Sequence, residues 1–489
     1  MLRAMPVAGG PCPNCGASVE FRAGASMTVV CQFCKQVVAR TDRGLAGLGT
    51  VADIAPTEHG LALRDRGAYG GARFEVIGRV VLRHPAGGTW EEYAIAFEDG
   101  RSAVIATAMG RWFITGPVPV QVLRAWESLG PGHTIALGAY GMFVVAERNE
   151  APFESAQGEL PFAARVGDVL RFVDLSGADG RVATVHYTRS GGAHAVYMGV
   201  EVQRAQLAVE SAAGERRGAA VETQNLQCPN CGGGLPPRAD PNTQRVVCPY
   251  CCALSDLAAH EVIARQEQVR ASLQIPLGSK GTLAGAAWTV IGYVERSTWF
   301  DSERFTWSEY LLYSADGGYR WLILDEGNWL FGTPVSAGDV QLAQTQAMFR
   351  GVPYGSRNTG SATVARVLGE FYWKVAVGET VQTQDFVNGS AVLSREGDSA
   401  EVQWTFSTPI PADMLFRAFG LPPPAPVSLP MAAWDGEGGF NSGSKLASWL
   451  IVAAVIAAFF CCMIAIDGDG GGGLGGGHGG VSFGGFGGK

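Results

Sequence analysis

Eight cysteines carry the clearest chemistry in this chain. Cys12, Cys15, Cys31 and Cys34 lie in CPNC…CQFC, and Cys228, Cys231, Cys248 and Cys251 lie in CPNC…CPYC. Each set is two C-x-x-C pairs separated by 15 or 16 residues, the spacing at which two knuckles complete a tetrahedral four-thiolate zinc site. Glycine follows the first pair of each set (Gly16, Gly232), where a tight turn calls for positive φ. Four thiolates leave no position for water, so two structural rather than catalytic zinc ions are expected. The spacing leaves open whether each ribbon only staples its surroundings or also docks a partner. Three of the 11 cysteines remain over: Cys252, beside the second set, and Cys461 and Cys462 in an apolar run.

Outside the cysteines the signals are weaker. No G-x-S-x-G, Walker, H-E-x-x-H or Rossmann pattern occurs. The seven histidines are scattered, without a repeated Cys or Ser partner. The recurring acids are Glu92 and Glu309, Glu159 and Glu370, and Asp174 and Asp385. Paired carboxylates can exchange protons or hold a cation. The plainer reading is that Glu92 and Glu309 begin a strand and hold a neighbouring arginine or backbone N–H. If one copy binds a ligand, the aromatic setting of GEFYWK (369–374) selects the second, with Trp307, Glu309, Glu370, Tyr372 and Trp373. The alternative is that those aromatics are core.

The elements that must position these residues are repeated. Phe74-Glu75-Val76-Ile77-Gly78 resembles Trp288-Thr289-Val290-Ile291-Gly292, and Thr-Trp-x-Glu-Tyr occurs at 89–93 and 306–310. Gly110-Arg111-Trp112 matches Gly327-Asn328-Trp329, and 158–168 aligns without a gap on 369–379. The unit is a ribbon followed by a β-rich domain, present twice. Within it, 74–82 alternates apolar and polar residues with a period of two, and the Asp99-Gly100 and Asp316-Gly317 turns join hairpins. Helical pattern is confined to 121–128, 338–349 and an amphipathic stretch at 255–272. Short antiparallel strands of this kind fit a small barrel or sandwich.

After the second unit, 421–445 is rich in Pro, Gly and Ser and reads as a linker. Residues 446–466, from Leu446 to Ile466 (LASWLIVAAVIAAFFCCMIAI), contain no charge and meet the length of a transmembrane helix. Residues 467–489 hold 14 glycines and read as a disordered tail. No apolar signal segment precedes the first ribbon. The expectation is therefore a single-pass protein of the bacterial inner membrane, repeats in the cytoplasm and tail outside. A reducing compartment suits thiolate-bound zinc better than disulfides. The net charge of −8 argues against nucleic acid as a partner, since such binding depends on neutralising phosphates.

The repeated Thr-Trp-x-Glu-Tyr, the Asp-Gly hairpin, the Trp112 and Trp329 strands and GEFYWKVAVGE (369–379) together resemble the bacterial family known as domain of unknown function 4178. The resemblance spans roughly 59–200 and 272–410 and is clearest in the second copy; the first departs at Leu160-Pro161-Phe162. It brings no catalytic residues. Its members tend to be encoded beside aminopropyltransferase-like and small membrane proteins, which implies a membrane-linked system with a polyamine connection.

The expected fold is mainly β: two zinc ribbons, two small antiparallel β barrel or sandwich domains, and one C-terminal transmembrane helix. The expected boundaries are ribbon 10–40, β domain 59–208, ribbon 226–254, linking helix 255–272, β domain 273–420, linker 421–445, membrane helix 446–466 and tail 467–489. The expected function is a membrane-anchored, non-enzymatic scaffold or sensor binding a protein partner or small ligand through tandem β domains. The alternative is an enzyme or accessory subunit acting on a cationic, polyamine-related small molecule. The bilayer itself is the remaining expected partner, through 446–466.

Overall fold

Alternating side chains make a strand with two unlike faces, and such strands avoid open edges by closing on themselves. In the first repeat the wall is built by β1 (Ala72–Arg83), β2 (Thr89–Phe97), β3 (Ser102–Ala108), β4 (Arg111–Pro117), β5 (Met142–Leu160), β6 (Val169–Ser176), β7 (Arg181–Tyr187) and β8 (Ala193–Val202). They pair antiparallel in the order β1-β2-β3-β4-β8-β7-β6-β5, and β5 returns to β1, closing an eight-stranded barrel. The second repeat supplies β9 (Ala286–Phe300), β10 (Glu303–Ser314), β11 (Gly318–Asp325), β12 (Asn328–Val335), β13 (Val352–Phe371), β14 (Thr380–Asn388), β15 (Ala391–Gly397) and β16 (Val402–Pro409). Their order, β9-β10-β11-β12-β16-β15-β14-β13 with β13 back on β9, is the same. The computed structural model describes residues 8–21, 26–41, 44–50, 60–86, 89–108, 110–119, 124–162, 168–188, 193–210, 226–235, 243–257, 259, 261–266, 273–300, 302–315 and 317–422. Both barrels lie in one unit of the chain.

Closure depends on a glycine pair in each barrel. Gly78 of β1 pairs with Gly158 of β5, and Gly292 of β9 with Gly369 of β13. A Cβ on Gly158 would stand 2.2 Å from the Ile77 carbonyl oxygen, and one on Gly369 2.2 Å from that of Ile291. Both Gly158 and Gly369 have positive φ, 69° and 88°. The repeated Val-Ile-Gly and Gly-Glu motifs are thus the two sides of one backbone crossing.

Beyond that crossing the long strand leaves the barrel and joins the ribbon. Glu159 and Leu160 pair with Val29 and Thr28 of Thr28–Val30, and Glu370 and Phe371 pair with Val246 and Arg245 of Arg245–Val247. The acid of each Gly-Glu motif is buried here and accepts a ribbon hydroxyl: Ser26 Oγ at 2.7 Å for Glu159, Thr243 Oγ1 at 3.1 Å for Glu370. The ribbons are therefore continuous with the barrel sheets.

A β-bulge follows Val76, and its counterpart follows Val290. The extra residue moves Val80 and Leu82 onto the face that carries Trp90 and Glu92. That face is the inner one, because Trp90 of β2 and Phe172 of β6 meet with ring centroids 5.5 Å apart across the two intervening strands. Much of the apolar core lies on the opposite face, closed by segments outside the wall: Leu61 and Leu207 over Tyr93, Ile95 and Ile105, and Leu129 and Leu137 over Val173 and Val185. In the second repeat Leu415 and Phe416 of the helix Ala412–Ala418 close the corresponding cluster over Tyr310 and Trp329.

Three expectations change. The stretch 255–272, expected as a helix, contains the strand end Ala253–Asp256 and the strand Glu261–Arg265, which pair antiparallel. Pairing along the ribbon edge overrides the helical periodicity. The stretches 121–128 and 338–349 contain 3₁₀ turns, Trp126–Ser128 and Ala337–Asp339, and the second continues as strands Val340–Leu342 and Gln346–Phe349. The single-pass inner-membrane placement is also corrected. Among the described residues no helix is long and apolar enough to cross a membrane, and the one α-helix has seven residues. The segment 446–466 on which that placement rested lies outside the described residues, as do most of the linker and all of the tail.

Candidate functional site

The eight cysteines converge in two clusters, Cys12, Cys15, Cys31 and Cys34, and Cys228, Cys231, Cys248 and Cys251. Cys12 Sγ lies 3.6 Å from Cys34 Sγ and Cys15 Sγ 3.7 Å from Cys31 Sγ; the second cluster has 3.6 and 3.7 Å for Cys228–Cys251 and Cys231–Cys248. A tetrahedron with metal–sulfur bonds of about 2.3 Å has sulfur edges of about 3.8 Å, so both sets fit a single four-thiolate ion. Backbone amides of Ala17 and Gln36 donate to Cys15 and Cys34, and those of Gly233 and Ala253 to Cys231 and Cys251. Such donors disperse the negative charge of thiolates.

The thiols do not titrate alike. Hydrogen bonds from the Asn14 side chain and the Gln36 amide draw Cys34 down to about 6. Cys251 also falls to about 6, because the Asn230 side chain and the Ala253 amide outweigh its burial. Cys15 is pushed up to about 12: the Ala17 amide works to lower it, but Cys34, burial and the other thiols prevail. Burial pushes Cys248 up to about 12. Full ionisation of four adjacent sulfurs requires a cation among them. Cys252 stands outside the set, at φ 55°, in the position after the second knuckle that Lys35 occupies at φ 59° in the first ribbon.

The inner faces of the two barrels are built on the same positions but hold different charges. In the second, Glu309 accepts from Trp307 Nε1 at 2.7 Å and from Arg296 Nε at 2.9 Å. Arg296 also reaches Glu396 of β15 at 3.6 Å across β13 and β14. Burial pushes Glu309 up while Arg296 draws it down, and Arg296 itself stays charged between its acids. Asp385 is raised by burial and tempered by Ser394 and Arg357.

In the first barrel, register places Leu82 where Arg296 stands: Leu82 pairs with Trp90 and Phe153, as Arg296 pairs with Trp307 and Val364. Glu92 accepts from Trp90 Nε1 at 3.0 Å, and burial raises it. A cross-strand row of Glu147, Asp174, Thr184 and Tyr197 runs over β5, β6, β7 and β8. Thr184 Oγ1 donates to Asp174 at 2.6 Å. Burial first, and then Glu147, push Asp174 up to about 7. His84 lies beside Glu147, 2.6 Å from Nε2 to Oε1. Burial opposes its charge, yet Glu147, Glu401 and Asp174 outweigh that and raise it. Glu401 is raised by burial and by Glu147.

The ligand set expected from the sequence does not act as one group. Trp307 and Glu309 belong to the inner face of the second barrel, while Glu370 accepts from the ribbon residue Thr243. Tyr372 stacks on Tyr319 with centroids 4.0 Å apart, and Trp373 meets Trp321 and Phe371 edge-on. Both rings pack beside Val247 and Leu254 at the ribbon junction. The triad His84, Glu147 and Glu401 was not foreseen. The available signal was the bulge position in each copy, Ala146-Glu147 in one and Arg357-Asn358 in the other.

Fold and clusters together define a tandem-barrel protein with two four-cysteine centres that could hold metal ions. The chain belongs to the family described as Domain of unknown function (DUF4178), whose model matches residues 63–204 and 276–412, one copy per barrel. Neither a curated protein nor a solved structure matches the chain.

Proposed function

We propose that the chain is a zinc-stapled binding scaffold: each ribbon braces one barrel through a closed, non-catalytic zinc site, and the barrel pair presents the binding surface for a protein or small ligand. The observation that carries this reading is the continuity of ribbon and barrel sheet, with Glu159 and Glu370 buried at the two junctions. A metal centre tied this way transmits its folding free energy to the barrel it adjoins. Closed four-sulfur geometry favours zinc as the ion and a structural role for it. Two barrels on one chain hold two binding surfaces at high effective concentration. The rival, action on a cationic small molecule at the second barrel, has less support there, because Glu309 and Glu370 are engaged by Arg296 and Thr243.

Metal analysis of the purified chain is expected to find two zinc ions. Cys31→Ser and Cys248→Ser are each expected to lose one ion and to lower the unfolding temperature of the adjoining barrel. Loss of zinc without any change in barrel unfolding would refute the staple.

A further inference from the structure

Three segments far apart in sequence meet where the two repeats touch. His84 lies in the turn after β1, Glu147 at the bulge of β5, and Glu401 just before β16. An antiparallel bridge between the repeats sets Glu147 against Glu401, and Arg148 N–H donates to the Ala400 carbonyl at 2.9 Å. One ligand atom from each of His84, Glu147 and Glu401 lies within 4.8 Å of the other two. His84 and Glu147 keep 21% and 18% side-chain exposure, so the group is sheltered but reachable.

We propose that His84, Glu147 and Glu401 bind one divalent first-row cation of the class that takes imidazole and carboxylate together, such as Mn²⁺, Fe²⁺ or Zn²⁺. The donors come from both repeats, so the ion would tie the two barrels at their seam. A second observation points to a cation independently of the ligand geometry. Glu92, Glu147, Asp174 and Glu401 find their hydrogen-bond and ion-pair partners in Trp90, His84, Asn149, Thr184 and Gln403. None of these partners is an arginine or lysine. In the second barrel the same positions carry Thr298 for His84 and Asn358 for Glu147, and Arg296 and Arg357 lie among the acids. His84 and Glu147, and acids met by no arginine or lysine among the described residues, thus have no counterpart in the second barrel, which contributes Glu401 across the seam.

The surroundings hold the donors in place. Asn149 Nδ2 donates to Glu147 Oε1 at 3.0 Å and Gln403 Nε2 to Glu401 Oε1 at 3.2 Å, the outer hydrogen bonds that fix ligating carboxylates. Asp174 pairs directly across from Glu147, and only its Oδ1 is taken, by Thr184. The imidazole limits the affinity. Ala86 N–H points at His84 Nδ1, 3.1 Å away, which places the ring proton on Nε2, donated to Glu147. An ion at Nε2 displaces that proton, and the neutral ring then carries its proton on Nδ1, so the Ala86 contact must open. This site is therefore weaker than the thiolate centres and exchanges its ion first.

The test uses the full chain with zinc in its ribbons, titrated with Mn²⁺ and followed by the paramagnetic resonance signal of free Mn²⁺. Manganese is chosen because a hard ion does not displace zinc from four thiolates. The expected result is one saturable Mn²⁺ per chain. Glu401→Gln and His84→Gln are each expected to weaken it by about tenfold or more while both zinc ions are retained. Asp385→Asn, the equivalent of Asp174 in the second barrel, is expected to leave it unchanged. Absence of saturable binding in the wild type, wild-type affinity in both seam variants, or loss of binding in Asp385→Asn would overturn the assignment.

Discussion

The two barrels share strand order, bulges, glycine crossings and ribbon junctions, and they differ in how their inner acids are neutralised. In the second, Arg296 joins Glu309 to Glu396, with Arg357 near Asp385. In the first, Leu82, His186 and Ala146 fill the places of Arg296, Glu396 and Arg357. The acid positions Glu92 and Asp174 persist, and Glu147 adds a third. A fold can thus be copied at backbone level while a few side chains exchange an interior whose acids meet arginine for one whose acids meet imidazole, hydroxyl, indole and amide groups. Buried charge is stable only when paired: the second copy pairs its acids with arginine, while in the first Glu147 meets His84 and burial raises Glu92 and Asp174.

The sharpest way to break this contrast is to give the second barrel the leucine of the first. Arg296→Leu leaves Glu309 buried beside Glu396 without its partner, and a loss of about 3–5 kcal/mol in urea unfolding is expected. Adding Glu309→Gln is expected to recover much of that loss. Recovery by the second change would separate charge imbalance from poor packing of leucine.

A smaller effect probes what the barrels share. Gly158→Ala and Gly369→Ala each force a Cβ against a carbonyl at positive φ, and losses of about 1–3 kcal/mol are expected, similar in the two copies. Very unequal losses in thermal unfolding would show that the closures are not equivalent.

A third effect is spread over pH. Asp174 keeps its proton to about 7 in the folded chain, against about 3.8 as its ordinary value. Between those values the folded state binds more protons than the unfolded, so this group's contribution to stability falls as pH rises from about 4 to about 7 and is flat above. Asp174→Asn is expected to remove that slope in unfolding measured across pH 4–8. Asp385→Asn is expected to reduce the slope in the same direction, because burial raises Asp385 as well. A slope unchanged in Asp174→Asn would contradict the burial argument.

Much of this organisation was readable beforehand. Both cysteine sets, the tandem repeat and the Asp99-Gly100 hairpin follow from local spacing. The reading of 255–272 as a helix failed because amphipathic spacing cannot tell a solvated helix face from a strand completed by its neighbour. The choice of the second barrel for ligand binding followed its aromatic run, whereas those rings brace a ribbon junction. His84, Glu147 and Glu401 carry no motif, since their segments meet only when the barrels do.

The sequence by itself determined the two four-cysteine sets, the duplication and the β character, because knuckle spacing and strand alternation act over a few residues. Only the tertiary structure decided that the barrels close at a glycine crossing, that the Gly-Glu acids anchor ribbons, and that one seam gathers an imidazole with two carboxylates. Those facts depend on strand register and on contacts between segments up to hundreds of residues apart, and the free energy that fixes them comes from burial and pairing across that distance.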